Sequence, residues 1–478
     1  MWWLIFPVAL VVFLAVLVIR ALNFKPKAQP KVFDNEEVFD GDKIVSNLAE
    51  LVKCKTVSYT DSALEDEGEF EKLISLLPEL YKNVFGVCEF KTLPDRALLF
   101  KWKGKNDGDP AVLMAHYDVV PVNEEMWDEP PFDAKIIDGV MWGRGTLDTK
   151  VTFNGVLSAA DHLIKDGFVP ENDIYFAFSG GEEVNGMGAV RIVDYFEENG
   201  ITPALVVDEG GAVVENVFPG VKAPCGLIGI AEKGMMNVQY RCVSNGGHAS
   251  APKPHTPVGI LSAACCKIEA NPFKIHLTKP VKEMFDTLGR HSSFVFKLVF
   301  SNLKIFLSLL DKFMCKKSGG EINALLRTTV AFTQMDGSAA PNVIPPEAKM
   351  VSNIRLNPLD TVDSARAYLE KTVDDANVEV NVLMGMNPSR ISRTDCEGWD
   401  KVASAVASTW KGCIVSPYLM VQCSDSRHYG RISDKVYRFS AMDLTSEERA
   451  TIHGNNERIR LDCAKKAVEF YIRLIKQC

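Results

Sequence analysis

Short apolar runs alternate along the first half of the chain with segments of helical periodicity. The apolar runs predict strands at residues 97–102, 111–115, 173–179 and 204–208. The other segments repeat apolar residues every three to four positions, which predicts helices at residues 44–52, 70–84, 151–164 and 188–198. Such alternation is typical of a mostly parallel sheet sandwiched by helices, so we expect an α/β fold.

Polar side chains follow these predicted strands and a predicted hairpin at residues 136–142. Open α/β sheets place their sites at the carboxyl ends of their strands, so these side chains are expected to meet. Several buried carboxylates in one place cost several kcal/mol unless a cation neutralises them. The sequence therefore predicts a divalent metal site. The candidate residues are His116, Asp118, Asp148, Glu182, Glu183 and Asp208.

From about residue 229 the order of predicted elements changes to strand, helix, two strands, helix and strand. This order is that of a ferredoxin-like α+β domain. We expect it to be inserted, as a lid, at residues 229–386 of a catalytic α/β domain formed by residues 41–228 and 387–478. A helical insertion at residues 272–317 contains an apolar run, 294–314, that we expect to pack on the inserted domain.

Residues 2–19 carry no charge and are long enough, at ~18 residues, to reach the lower limit for a membrane-spanning helix. Basic residues follow this run and none precedes it, which favours an uncleaved anchor at residues 1–22 and a tether at residues 23–40 over a cleaved signal sequence. The positive-inside rule then predicts a catalytic body on the cytoplasmic side. A secreted or extracytoplasmic body is the alternative.

Length and charge limit the functional classes. A chain of 478 residues is expected to form more than one domain. Its formal net charge of -9 argues against a nucleic-acid partner, because binding a polyanion requires a basic surface.

Seven motifs and their order along the chain resemble the aminoacylase and carboxypeptidase S family of dinuclear zinc peptidases and deacylases. This family includes acetylornithine deacetylase and succinyl-diaminopimelate desuccinylase. The resemblance extends from about residue 40 to the C-terminus and is strongest to the carboxypeptidase S and N-acyl amino acid hydrolase branch. The motifs are MAHYDVVPV (114–122), WGRGTLDTK (142–150), SGGEEVNG (179–186), VVDEGG (206–211), GGHAS (246–250), PNVIPPEA (341–348) and TIHGNNE (451–457).

The resemblance implies a site for two Zn²⁺ ions, with Co²⁺ or Mn²⁺ as alternatives. It makes Asp148 the carboxylate that bridges both ions. His116 and Asp208 would complete the coordination of one ion, and Glu183 and His453 would complete that of the other. Imidazole and carboxylate ligands suit zinc in a hydrolytic site, which agrees with this assignment.

Two acidic residues next to these ligands are expected to act without binding metal. The resemblance makes Glu182 the general base that takes a proton from water and delivers it to the leaving amine. Asp118 would orient His116, because residues two apart in a strand face the same way.

Three further residues lie in the predicted inserted domain. The resemblance implies that His248 stabilises the oxyanion, after domain closure or from a second subunit of a homodimer. Asn342 and Arg355 would hold the free carboxylate of the substrate. The chain departs from the family at Gln422 and Cys423, where relatives usually carry two glycines, and we expect a narrower pocket there.

Together these features predict a membrane-anchored zinc hydrolase that cleaves an amide next to a free carboxylate, of the carboxypeptidase type on small peptides. An N-acyl amino acid amidohydrolase is the alternative, because both substrates present the same carbonyl and carboxylate. An inactive, membrane-tethered binding module is a more remote one.

Overall fold

The computed structural model describes residues 5–309, 311 and 320–478. Its largest element is a sheet of eight strands in the order β1-β2-β6-β3-β7-β16-β8-β15. Its central strands β2, β3 and β6 are buried on both faces, which explains their continuous apolar sequences. The strands of this sheet are β1 (Glu89–Leu93), β2 (Ala97–Trp102), β3 (Ala111–His116), β6 (Ile174–Ser179), β7 (Leu205–Val214), β8 (Cys225–Glu232), β15 (Ile414–Met420) and β16 (Val436–Leu444).

The sheet is mixed rather than mostly parallel. Strands β6, β3, β7 and β16 run parallel to their neighbours in the centre, and β15 runs parallel to β8. The β1–β2 and β2–β6 pairs are antiparallel, as are the contacts of β8 with β7 and β16. A short turn can join antiparallel strands without a crossover helix, and residues 94–96 form such a turn between β1 and β2.

Helices cover both faces of this sheet, which confirms the predicted sandwich. In β3, Leu113 and Ala115 contribute to one buried layer, and Val112 and Met114 to the other. Helices α2, α5 and α15 pack together on one face, and α6 packs against β2 and β6 on the other. The helices of this region are α2 (Gly41–Val52), α3 (Glu67–Leu80), α4 (Lys82–Val87), α5 (Lys150–Lys165), α6 (Gly188–Glu198), α13 (Glu397–Thr409), α14 (Ser446–Arg449) and α15 (Leu461–Ile475).

A small three-stranded sheet joins the C-terminal region to the first half of the chain. Strands β4 (Lys135–Ile137) and β5 (Val140–Trp142) form the predicted hairpin, and β17 (Arg458–Arg460) pairs with β5. The two-residue turn has φ of 49° at Asp138 and 78° at Gly139. This left-handed backbone is what an Asp-Gly hairpin turn requires.

A second sheet, of four antiparallel strands, has the order β11-β13-β9-β14. Buried and half-buried residues alternate along β9 and β13, so one face of the sheet packs against α7 and α12 and encloses a separate apolar core. The elements here are β9 (Gly234–Val243), α7 (Pro257–Ala270), β11 (Thr329–Asp336), β13 (Glu347–Leu356), α12 (Val362–Val373) and β14 (Val378–Met386), with a two-stranded ladder of β10 (Gly247–His248) and β12 (Val343–Ile344).

The helical insertion packs elsewhere than expected. Its helices are α8 (Lys279–Gly289), α9 (Phe294–Ser301), α10 (Leu303–Leu309) and α11 (Gly320–Leu326). The predicted run 294–314 is interrupted at Asn302, and residues 310 and 312–314 of that run lie outside the described residues. Among the described residues, helix α8 packs against β15 of the large sheet, and α9 packs mainly against α8 and the N-terminal helix.

The N-terminal helix α1 (Ile5–Asn23) is apolar and largely exposed. Its segment Phe6–Asn23 has a mean hydropathy of 2.3 and is 11% buried, so it has the length and composition of a membrane span. Residues 2–4 of the predicted span lie outside the described residues. Leu17 and Ala21 are buried where α1 meets α9, and Asn302 Nδ2 donates to Leu17 O at 3.2 Å.

Residues 24–40 form neither helix nor strand and lie along the body of the protein. Phe33 N donates to Ser408 Oγ at 2.9 Å, and Arg473 Nη2 donates to Asn35 O at 2.7 Å. The linker between α1 and α2 is therefore in contact with the large domain.

Candidate active site

The predicted site residues at the end of β3 and those that follow β6 meet because these two strands are parallel neighbours. His116, the last residue of β3, is paired with Ser179, the last residue of β6. After β6 the chain turns at Gly180, where a side chain would meet the Tyr117 ring at 2.6 Å, so this close approach requires glycine. The short turn that follows brings Glu182 and Glu183 beside the end of β3.

Asp148 lies between two imidazoles. Its Oδ1 is 3.0 Å from His116 Nε2, and its Oδ2 is 3.0 Å from His453 Nε2. His453 Nε2 also lies 3.1 Å from Glu183 Oε2. Four of the five predicted metal ligands therefore form one cluster, built from segments more than 300 residues apart in the chain.

The fifth predicted ligand, Asp208, is not in this cluster. Its buried carboxylate turns toward the loop after β15 and accepts from Ser426 N at 2.9 Å. The next residue, Glu209, faces the site instead, with its Oε1 3.5 Å from His116 Nε2. Successive side chains of a strand point to opposite faces, so only one residue of the Asp-Glu pair in β7 can reach the site. The local sequence does not indicate which of the two residues this is, because that depends on the face of β7 that is turned toward His116.

Glu182 and Glu209 form a second group with His116, in which one potential ligand atom of each lies within 4.8 Å of the others. Glu182 therefore lies close to the imidazole that also contacts Asp148, and both carboxylates line the same cavity.

Asp118 is fully buried and holds the turn that carries both glutamates. Its Oδ1 accepts from Glu182 N at 3.1 Å and its Oδ2 from Glu183 N at 3.2 Å. His116 Nδ1 lies 3.4 Å from Asp118 Oδ1 and 3.0 Å from Asp118 O. Asp118 therefore contacts the histidine, as the motif predicts, and also fixes the Glu182–Glu183 backbone, which the sequence did not indicate.

A buried ion pair between Arg144 and Glu457 holds the backbone at Asp148 in place. Glu457 Oε2 accepts from Arg144 Nη1 at 2.6 Å, and Glu457 Oε1 accepts from Leu147 N at 2.7 Å and Asp148 N at 3.2 Å. The two side chains are 3% and 0% exposed. Both residues lie in motifs noted in the sequence, but only the structure shows that they contact each other.

The pKa values of the cluster are shifted because its acidic side chains are buried close to one another and to two imidazoles. Burial raises the pKa of Glu182 well above its usual range. Burial, reinforced by the nearby Asp148, raises the pKa of Glu209 to about 8. Burial opposes ionisation of Asp148 too, but hydrogen bonds with His116 and His453 lower the pKa of Asp148. Hydrogen bonding to Asp148 and Glu183 raises the pKa of His453 to about 10. This set of groups is suited to bound cations, which compensate buried carboxylates.

The three residues predicted on the second sheet are only partly brought to the site. His248 is exposed at the end of β10, and Asn342 is exposed just before β12, where Ala249 N donates to Asn342 O at 3.0 Å. Neither is among the described residues that line the cavity containing Asp148. Arg355 comes closer, because its Nη1 lies 3.6 Å from the Sγ of Cys423, which lines that cavity.

The sequence profile of the peptidase family M20/M25/M40 matches residues 112–477. The chain therefore belongs to this family of metallopeptidases and amidohydrolases, and membership implies a site for two divalent metal ions. Solved structures agree with the fold. A metallo-carboxypeptidase of the M20 family from Sulfolobus solfataricus has a TM-score of 0.65 at 19% identity, covering 91% of this chain and 98% of its own. A dinuclear metal-binding M20 peptidase from Bacillus subtilis has a TM-score of 0.55 at 13% identity, covering 91% and 97%.

Two curated relatives cover nearly the whole chain. The N-fatty-acyl-amino acid synthase/hydrolase PM20D1 of Xenopus tropicalis is 33% identical, covering 98% of this chain and 94% of its own length. The probable carboxypeptidase S-like 2 of Dictyostelium discoideum is 31% identical, covering 97% of this chain and 91% of its own length. These relatives confirm the resemblance inferred from the motifs.

Proposed function

We propose that the protein is a zinc-dependent amidohydrolase that cleaves an amide bond next to a free carboxylate, with N-acyl amino acids as its favoured substrates. The observation that carries this proposal is the cluster in which Asp148 lies between His116 and His453 while Glu182 faces the same cavity. The name of the Xenopus tropicalis relative supports the acyl substrate. Carboxypeptidase action on small peptides is the second candidate, supported by the name of the Dictyostelium discoideum relative.

The donor set fits two divalent ions. Among the described residues, Glu183 Oε1 is buried without a hydrogen-bond partner, as expected of an oxygen reserved for a metal. We assign Asp148 to both ions, His116 and Glu209 to one, and Glu183 and His453 to the other. Glu209 thus takes the role first assigned to Asp208. Imidazole and carboxylate donors favour Zn²⁺, with Co²⁺ and Mn²⁺ as substitutes. Ions bound there would polarise the scissile carbonyl and stabilise negative charge in the transition state.

Glu182 is the proposed general base. Its carboxylate accepts the proton of the attacking water and returns it to the leaving amine. Asp118 keeps it in position by binding the backbone N–H groups of Glu182 and Glu183. Replacing Glu182 with glutamine should lower kcat by about 10²- to 10⁴-fold with metal retained. Near-normal turnover in this variant would refute the assignment.

The metal assignment is tested by a matched pair of substitutions in β7. Glu209→Gln should lower the metal content of the purified protein. Asp208→Asn should retain both ions, because that carboxylate faces Ser426. Elemental analysis of the two variants measures this difference, and the opposite result would restore Asp208 as the ligand.

Residues 229–386 are proposed to form the ferredoxin-like lid. Closure of this domain, or a second copy of the chain in a homodimer, would bring His248 and Asn342 to the substrate, and Arg355 would bind its free carboxylate. Mixing His248→Ala with Glu182→Gln protein distinguishes the two routes. Activity recovered on mixing supports a histidine shared between subunits, whereas no recovery supports closure within one chain.

Helix α1 is the proposed membrane anchor, supported by its length, its apolar composition and the basic residues that follow it. The proposed orientation places the catalytic body on the cytoplasmic side. Protease added to intact cells should leave the body uncut. External cleavage would instead place it outside the cytoplasm.

The two substrate classes are separated by kinetics on matched compounds. We expect N-acyl derivatives of an amino acid to be hydrolysed with higher kcat/KM than dipeptides that end in the same amino acid. A clear preference for dipeptides would establish the carboxypeptidase alternative.

A further inference from the structure

A second cavity adjoins the one that contains the proposed metal ligands. The catalytic cavity has a volume of about 390 Å³, and the second one about 240 Å³. Four of the residues that the structure describes line both of them, namely Leu227, Tyr418, Gln422 and Arg449. The two spaces are therefore separated by no more than the thickness of these side chains.

The second cavity has apolar walls. Three aromatic rings pack against one another there, with centroids 4.6 Å apart for Phe218 and Phe300, 5.3 Å for Phe285 and Phe300, and 5.6 Å for Phe218 and Phe285. Its charged lining residues, Glu321 and Arg449, lie 3.5 Å from each other, and Arg449 is at the wall shared with the catalytic cavity. The interior is thus suited to a hydrocarbon rather than to a charged side chain.

The position of this cavity also indicates a lipid-like ligand. Phe300 belongs to α9, and α9 packs against the apolar helix α1. Phe294 and Val295, at the start of α9, are exposed. The apolar cavity is therefore lined in part by a helix, α9, that contacts the candidate membrane span α1.

We infer that this second cavity binds the acyl chain of an N-acyl amino acid while its amide lies in the catalytic cavity. This inference rests on the proposed amidohydrolase function and specifies its substrate as one with an extended hydrocarbon chain. A methylene group takes up about as much space as a water molecule, which is about 30 Å³. The cavity of about 240 Å³ therefore holds roughly eight methylene groups. Each added methylene should strengthen binding of the acyl chain up to about that length, and further methylenes should add less binding free energy per carbon.

The wild-type protein provides the first test, with N-acyl derivatives of one amino acid whose saturated chains increase from acetyl upward. Burial of each methylene should raise kcat/KM about fourfold until the cavity is filled. Hydrolysis that does not depend on chain length would overturn the acyl-chain assignment and leave the amidohydrolase function intact. If none of these amides is hydrolysed by the metal-loaded protein, the proposed function itself fails.

The second test fills the cavity. Ile322 is half-buried, lines only the apolar cavity and lies outside the proposed catalytic groups. Ile322→Trp should remove the gain from long chains and leave the rate on the N-acetyl substrate unchanged. Ile260→Trp is the matched control, because Ile260 is also half-buried but packs in the core of the four-stranded sheet.

The N-acetyl rate also reports whether the variant folds. A flat chain-length profile for Ile322→Trp, with a normal profile for Ile260→Trp, supports the inference. An unchanged profile for an active Ile322→Trp protein would overturn it. If Ile322→Trp loses all activity, the wild-type chain-length profile decides the question.

Discussion

Replacing Asp118 with asparagine tests how the site is held in place. The carboxylate accepts from two successive backbone N–H groups, those of Glu182 and Glu183. An asparagine side chain has one acceptor oxygen, so one of these N–H groups would face an amide NH₂ group instead. The loss of one hydrogen bond to a charged group costs about 1.5–3 kcal/mol.

This cost should appear as weaker metal binding, because the displaced turn carries Glu183 as well as the proposed base. At about 1.4 kcal/mol per tenfold, the expected loss of affinity is roughly 10- to 100-fold. The assay is titration of metal-free protein with Zn²⁺ in competition with a chelating indicator. Urea denaturation of the same samples would give the free energy of unfolding.

Asp161→Asn is the matched control. Asp161 is also buried and also uses both oxygens: its Oδ1 accepts from Asn83 N at 2.8 Å, and its Oδ2 accepts from Lys43 Nζ at 2.9 Å and Asn83 Nδ2 at 3.1 Å, so an asparagine there loses an acceptor too. Its replacement should lower the free energy of unfolding without changing metal affinity. An equal loss of metal affinity in both variants, or no loss in Asp118→Asn, would show that Asp118 does not hold the metal-binding turn in place.

Three further predictions concern the support of the site, its ions and its substrate. Glu457→Gln leaves Arg144 buried without its anionic partner, so the free energy of unfolding measured in urea should fall by about 3–5 kcal/mol; a loss below about 1 kcal/mol would contradict the ion pair's role. Chelation of the ions should abolish hydrolysis and lower the thermal midpoint, and added Zn²⁺ should restore both, since an ion that binds only the folded state stabilises it. Arg355→Ala should raise KM for substrates with a free carboxylate about tenfold or more, with little change for the corresponding esters; equal effects on acids and esters would argue against carboxylate binding.

Local sequence patterns predicted the elements that position the site. The apolar run of β3 ends at His116, and the Asp-Gly turn closes the β4–β5 hairpin, because both features depend on residues close in the chain. Four of the side chains that meet around Asp148 and His116 also lie in the motifs, which is a statement of their position only. The motifs did not indicate that Glu209, which we propose as a ligand in place of Asp208, faces His116, because this depends on which face of β7 is turned toward that histidine.

Long-range packing accounts for the other differences. The apolar periodicity of residues 294–301 indicates a helix but not its partner, and α9 packs against α8 and α1. The direction of β8 relative to β16 also depends on tertiary contacts, which is why a mostly parallel sheet was expected and a mixed one is found. Glu457 and Arg144 are more than 300 residues apart, so nothing in their local sequences indicates that they form a pair.

We propose that two ions bind on either side of Asp148 and that Glu209 is one of their ligands. Anomalous diffraction from crystals of the zinc-loaded protein tests it most directly. We expect two anomalous peaks, both in contact with Asp148. One should also be contacted by His116 and Glu209, and the other by Glu183 and His453. A single peak, or a peak ligated by Asp208 in place of Glu209, would contradict it.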